Sequence, residues 1–72
     1  MKKVTYVERI KQLRQEDGIS QRELAKSVGV SSSAITYWEM GARVPNALAV
    51  IKLAEYFQVS TDYLLGVSDK ID

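Results

Sequence analysis

The 72-residue sequence contains neither cysteine nor histidine. The first absence excludes disulfides, thiolate metal ligands and thiol nucleophiles. The second excludes imidazole ligands and the usual general base near neutral pH, so any catalysis would rest on carboxylates alone. No metal and no cofactor is expected. Long hydrophobic runs are missing too: nothing approaches the ~18 apolar residues of a membrane span. The apolar stretch at Val4 is cut off by Glu8 and Arg9, leaving no signal-peptide core. The expected setting is the cytoplasm, with no membrane contact. Repeats, low-complexity tracts and period-two alternation are also absent.

What is present is a 46% apolar composition, enough for one small core and no second. A chain this short buries about 60% of the surface its unfolded form exposes. Its stability should then be only about 4 to 11 kcal/mol. The formal net charge of +1 is weak evidence for a polyanionic partner, but the charge is polarised. Residues 1–43 hold eight Lys or Arg against five Asp or Glu, and residues 44–72 hold two against four. One face can therefore meet an anion while the other does not.

Hydrophobic spacing and capping signals divide the chain into short helices. Tyr6, Val7, Ile10 and Leu13 recur at steps of three and four, which predicts a first helix from about Thr5 to Asp17, ahead of Gly18. Ser20 stands three residues before Glu23, the capping-box spacing, with Ile19 and Leu24 placed as a hydrophobic staple. A second helix then runs from Gln21 to Val28 and ends at Gly29. Ser31 caps a third, Ser32 to Met40, closed by Gly41. Pro45 and Asn46 open a fourth, whose stripe of Ala47, Val50, Leu53, Ala54 and Phe57 is wide and apolar. Ser60 caps a last helix, Thr61 to Leu65, whose leucines fold back onto the core. The expected class is all-α: a five-helix domain over residues 1–66 with a loose polar tail over 67–72.

Two helices of about eight residues joined by Gly29, Val30 and Ser31 have the spacing of a helix-turn-helix, whose second helix can enter a DNA major groove. The third helix is unusual in its outward residues. With Ala34, Ile35 and Trp38 inward, it exposes Ser32, Ser33, Thr36, Tyr37 and Met40. Ser and Thr compete with the helix backbone, so helicity did not select them. Short hydroxyls reach base edges, a Thr methyl can touch a thymine methyl, and a Tyr adds reach and a stacking face. The plain alternative is that Ser31 to Ser33 form an N-cap run and that Tyr37 is an ordinary surface residue.

From Ile10 to Leu65 the chain resembles the phage-repressor and Cro-like domains of the XRE family. The likeness is carried by Leu13-Arg14, Ile19 through Ala25, Val28 through Ser31, Ile35, Trp38-Glu39, Gly41, Pro45, Ala54 and Leu64-Leu65. It implies a compact lambda-repressor-like fold and a sequence-specific transcriptional regulator, with double-stranded DNA as partner and a near-palindromic operator that a repressor would occupy. It also implies that Ser32, Ser33, Thr36 and Tyr37 face the bases, with Gln21 and Arg43 on the DNA backbone. Asn46 and Ala47 open the fourth helix, whose free N–H groups can receive a phosphate oxygen. An ion pair between Arg14 and Glu39 is expected, because a carboxylate near a helix C-terminus needs a compensating cation. A homodimer on DNA is expected through Tyr63, Leu64 and the segment from Gly66. The sequence departs from the family at Gln58, where relatives often carry Gly, and between Ala42 and Val44, where they often carry more basic residues. Other functions remain open: an antitoxin or restriction controller protein built on the same domain, or a helical protein-interaction module favoured by the low net charge with Tyr56 and Tyr63. A carboxylate hydrolase stands furthest off.

Overall fold

A computed structural model describes residues 5–70. They form five helices: α1 (Tyr6–Glu16), α2 (Gln21–Val28), α3 (Ser32–Met40), α4 (Ala47–Phe57) and α5 (Thr61–Leu65). Each helix starts where a short polar side chain satisfies a backbone N–H that has no partner within the helix. Ser20 accepts from the amide of Glu23 at 3.0 Å while Glu23 receives the Ser20 amide at 3.4 Å, closing the box reciprocally. Thr5, Ser31, Asn46 and Ser60 cap the other four in the same i to i+3 manner.

The ends differ more than the starts. Gly29 closes α2 in the left-handed region at φ 75°, which turns the chain sharply into α3. At the end of α4 the left-handed position is held by Gln58, with φ 58° and ψ 46°. This is the only positive-φ residue among the described ones that is not glycine, and its Cβ costs on the order of 1 kcal/mol there.

Each helix sends one fully buried side chain to the centre: Ile10, Leu24, Ile35, Leu53 and Leu64. Fully burying a side chain of this size contributes roughly 1.5 to 3 kcal/mol. Leu13, Ala25, Val28, Trp38, Ala49, Val50 and Ala54 complete the cluster. The third helix packs on both α2 and α1, while α5 packs on α1 and α4. Leu64 is therefore not the interface residue it was expected to be: with no exposed surface, it has nothing to offer a second chain.

One core position is charged. Arg9 is 4% exposed, and its guanidinium carbon lies 3.7 Å from the centre of the Tyr63 ring. This cation–π stack joins α1 to α5. The Nε of Arg9 has no hydrogen-bond partner among the described residues, and the Tyr63 ring face lies against the buried charge.

Residues 67–70, expected as the start of a loose tail, are tied back. The amides of Val67 and Ser68 donate to the Asp62 carbonyl at 2.9 and 3.3 Å. The Ser60 hydroxyl donates to the Lys70 carbonyl at 3.3 Å. These bonds wrap the segment around α5, a helix of five residues that is too short to hold itself together. Residues 71 and 72 lie outside the described residues.

Candidate nucleic-acid interface

The turn at Gly29 sets α3 across α2 so that one side of α3 is sealed and the other is open. Ile35 and Trp38 are buried, and Ala34 is partly so. On the open side Ser32, Ser33 and Tyr37 are exposed while Thr36 is half-buried. Past the end of α3 the chain bends back on itself: the amides of Ala42 and Arg43 donate to the Tyr37 carbonyl at 2.9 and 3.4 Å. This bend places the Arg43 guanidinium carbon 5.0 Å from the centre of the Tyr37 ring. From the other side the Tyr6 hydroxyl donates to the Arg43 carbonyl at 3.4 Å.

Residues far apart in sequence thus converge. Ser33, Tyr37, Arg43 and Asn46 line one open cleft of about 260 Å³ beside α3. A stacked aromatic and guanidinium, a hydroxyl and a helix N-terminus edge the same concavity. Asn46 uses its Oδ1 to accept the Ala49 amide at 2.8 Å, and Ala47 stands exposed at the first turn of α4, where the dipole favours an anion. Together these groups can meet a phosphodiester backbone at the rim and base edges in the middle.

Behind the open face runs a chain of polar contacts. Arg14 grips Glu39 with two hydrogen bonds, Nε to Oε2 at 2.7 Å and Nη2 to Oε1 at 3.0 Å. Its Nη1 donates to the Ile19 carbonyl at 2.9 Å. The pair is largely out of water, with 13% of the Arg14 side chain and 4% of the Glu39 side chain exposed. Burial pushes the Glu39 carboxyl up, but the hydrogen bonds from Arg14 and Gln21 outweigh it and hold the group below the ordinary glutamate range. Hydrogen bonding to Glu39 raises Arg14 further.

Gln21 extends the chain: its Nε2 donates to Glu39 Oε1 at 3.1 Å. Its Oε1 accepts from the Thr36 hydroxyl at 2.7 Å. Sequence reasoning placed Gln21 and Thr36 on DNA independently and did not foresee their link. No spacing rule could reveal it, because the two meet only after α3 has crossed α2. Arg9 was missed as well, although it falls between Tyr6 and Leu13 on the inward stripe of α1, a position where a charge is out of pattern. Tyr63 and Gly66 are half-buried, the Tyr63 ring lying under Arg9. Among the described residues no group of His, Cys, Asp or Glu is arranged to hold a metal ion, and no helix is long and apolar enough to cross a membrane.

A capped α2, a left-handed turn and a crossing α3 with an open polar face define a helix-turn-helix domain. The helix-turn-helix family model (HTH_3) matches residues 10–64, and the chain belongs to that family. It is 36% identical over 58 residues to the HTH-type transcriptional regulator ImmR of Bacillus subtilis (strain 168), covering 81% of this chain and 46% of ImmR. It is 43% identical over 58 residues to repressor protein C2 of Salmonella phage P22, covering 81% of this chain and 27% of the repressor. The chain therefore spans less than half the length of either relative. Among solved structures, the P22 c2 repressor in complex with a synthetic operator superposes with a TM-score of 0.84 at 38% identity, over 90% of this chain and 98% of that one.

Proposed function

We propose that this domain binds duplex DNA sequence-specifically, as part of a transcriptional regulator that represses by occupying its operator, with α3 in the major groove. The observation that carries the reading is the convergence of Ser33, Tyr37, Arg43 and Asn46 on one cleft beside a helix whose opposite side is locked in the core. The operator complex of the P22 repressor, a similar domain, supports it. In this reading Ser32, Ser33 and Tyr37 face the bases, while Arg43, Gln21 and the first turn of α4 at Asn46 and Ala47 hold the backbone.

Selection from random duplex DNA is the test. The wild-type domain should enrich a defined motif, and joint exchange of Ser32, Ser33 and Tyr37 should enrich a different one, each altered base contact being worth about 1 to 3 kcal/mol. An unchanged motif would show that α3 does not read the sequence.

Two copies on adjacent half-sites would double the information that one reading helix can extract. We assign the contact between copies to Val44, Leu48 and Ile51, which are 72%, 61% and 47% exposed, in preference to Tyr63, whose ring Arg9 covers; Gly66, followed by Val67 at 65% exposed, stays a second candidate for the same contact. Val44 lines the same cleft as Arg43 and Asn46, which favours a contact between copies beside the bound DNA. Three side chains fall well short of the ~20 to 30 residues a side of a stable interface. Pairing on DNA from a monomer in solution is the expected behaviour, with half-sites about 10 base pairs apart. Footprints of the wild type should show two symmetric patches and those of Leu48→Asp one; a single asymmetric patch for the wild type would defeat the assignment.

A further inference from the structure

We propose that Thr36 is a positioning residue for Gln21: its hydroxyl locks the Gln21 carboxamide in the orientation that leaves an amide hydrogen for a DNA phosphate. The inference rests on the DNA-binding reading and departs from the expectation that Thr36 reads bases as a donor.

The sense of each hydrogen bond follows from the one before it. Arg14 holds Glu39 as a carboxylate by two bonds, and an ionised carboxylate can only accept. Whichever end of the Gln21 carboxamide faces Glu39 Oε1 must therefore be the NH₂ group, as it is at 3.1 Å. The Gln21 carbonyl is then turned to Thr36. A carbonyl only accepts, so the Thr36 hydroxyl must donate, at 2.7 Å. That hydroxyl has a single hydrogen, and among the described residues its one other close acceptor is the Ser32 carbonyl at 3.1 Å, also within α3. Thr36 has no donor left for a base edge and presents only lone pairs and its methyl group.

Gln21 gains what Thr36 gives up. The amide has two hydrogens, and one is engaged by Glu39. The carboxamide is gripped at both ends, and the half-exposed side chain stands at the first position of α2. Its second hydrogen has no acceptor among the described residues, and the two bonds fix its direction. A phosphate met there encounters a donor that has already lost its rotational freedom, which lowers the cost of ordering it on binding.

Thr36→Val keeps the shape and removes the hydroxyl, while Thr36→Ser restores it. In the free protein, side-chain amide NMR of Gln21 should show restricted, dispersed NH₂ signals for the wild type and Thr36→Ser. The Thr36→Val signals should move toward those of a mobile glutamine while the backbone spectrum stays native. On duplex DNA, Thr36→Val should bind every sequence about threefold to tenfold more weakly, the weight of one net hydrogen bond, and select the same motif. Thr36→Ser should bind as the wild type does. A changed motif would make Thr36 a base reader and overturn the proposal; so would unchanged affinity, or Gln21 signals that ignore the substitution. Restricted Gln21 signals in a wild-type domain that binds no duplex at all would instead refute the DNA-binding reading and leave the lock itself standing.

Discussion

Replacing Glu39 by alanine removes the acceptor for three donors at once: Arg14 Nε, Arg14 Nη2 and Gln21 Nε2. Arg14 stays in place, because its side chain is only 13% exposed and Nη1 is still tied to the Ile19 carbonyl. A guanidinium out of water without its counter-ion costs about 3 kcal/mol or more. Against a total of about 4 to 11 kcal/mol, that is between a quarter and three quarters of the stability. For a domain this size each kcal/mol shifts the melting temperature by about 4 to 8 °C, so Glu39→Ala should melt at least ~12 °C lower. Removing both charges, as in Arg14→Met with Glu39→Ala, leaves no unpaired ion and should cost less than Glu39→Ala alone. Urea unfolding of the two single variants and the double, followed by circular dichroism, closes the cycle. Additive costs, or a Glu39→Ala penalty below ~1 kcal/mol, would mean that the guanidinium finds water and that the pair does not brace α3 against α1.

Three further outcomes are expected. Gln58→Gly relieves the left-handed strain at the end of α4, and after the greater chain entropy of glycine is offset it should gain about 0.5 to 1 kcal/mol in urea unfolding; a loss would show that the Gln58 side chain contributes more than its backbone costs. Arg43→Ala should reduce the salt dependence of DNA affinity by about one unit of slope on every duplex, since one phosphate is no longer neutralised; an unchanged slope would put Arg43 off the backbone. Glu39 is held below the ordinary glutamate range, so its contribution to stability is complete above that range and is lost as pH falls through its folded value. The urea midpoint of the wild type should therefore converge on that of Glu39→Gln in acid, and a constant gap down to pH ~2 would contradict the pairing.

Helix positions were legible because the signals that set them are local. A capping side chain and the amide it receives lie three residues apart, so Ser20, Ser31, Asn46 and Ser60 mark starts that the structure reproduces. The inward face of α3 was legible for the same reason, from the spacing of Ala34, Ile35 and Trp38. What escaped were arrangements that exist only between helices. The leucines of the short terminal helix were expected to fold back, and Leu64 does fill the core; what spacing could not show is that the neighbouring Tyr63 ring lies against a buried arginine of α1. The fate of residues 67–70 depended on whether the Asp62 carbonyl and the Ser60 hydroxyl would have capacity to hold a returning strand of backbone. Donor and acceptor polarity along Glu39, Gln21 and Thr36 is likewise a property of the assembled crossing.

The division of α3 into a sealed face and an open one has an evolutionary consequence. Ser32, Ser33 and Tyr37 take no part in the core cluster, so their substitution is nearly free of folding cost, since surface changes usually stay within about 0.5 kcal/mol. With α3 reading DNA as proposed, a lineage carrying this scaffold can drift in target preference without passing through unfolded intermediates. Thr36 lies on the same helix but is fastened to Gln21, so it should vary far less than its exposed neighbours. In the proposed reading, retargeting is channelled through three positions, while the fourth holds the backbone anchor in place.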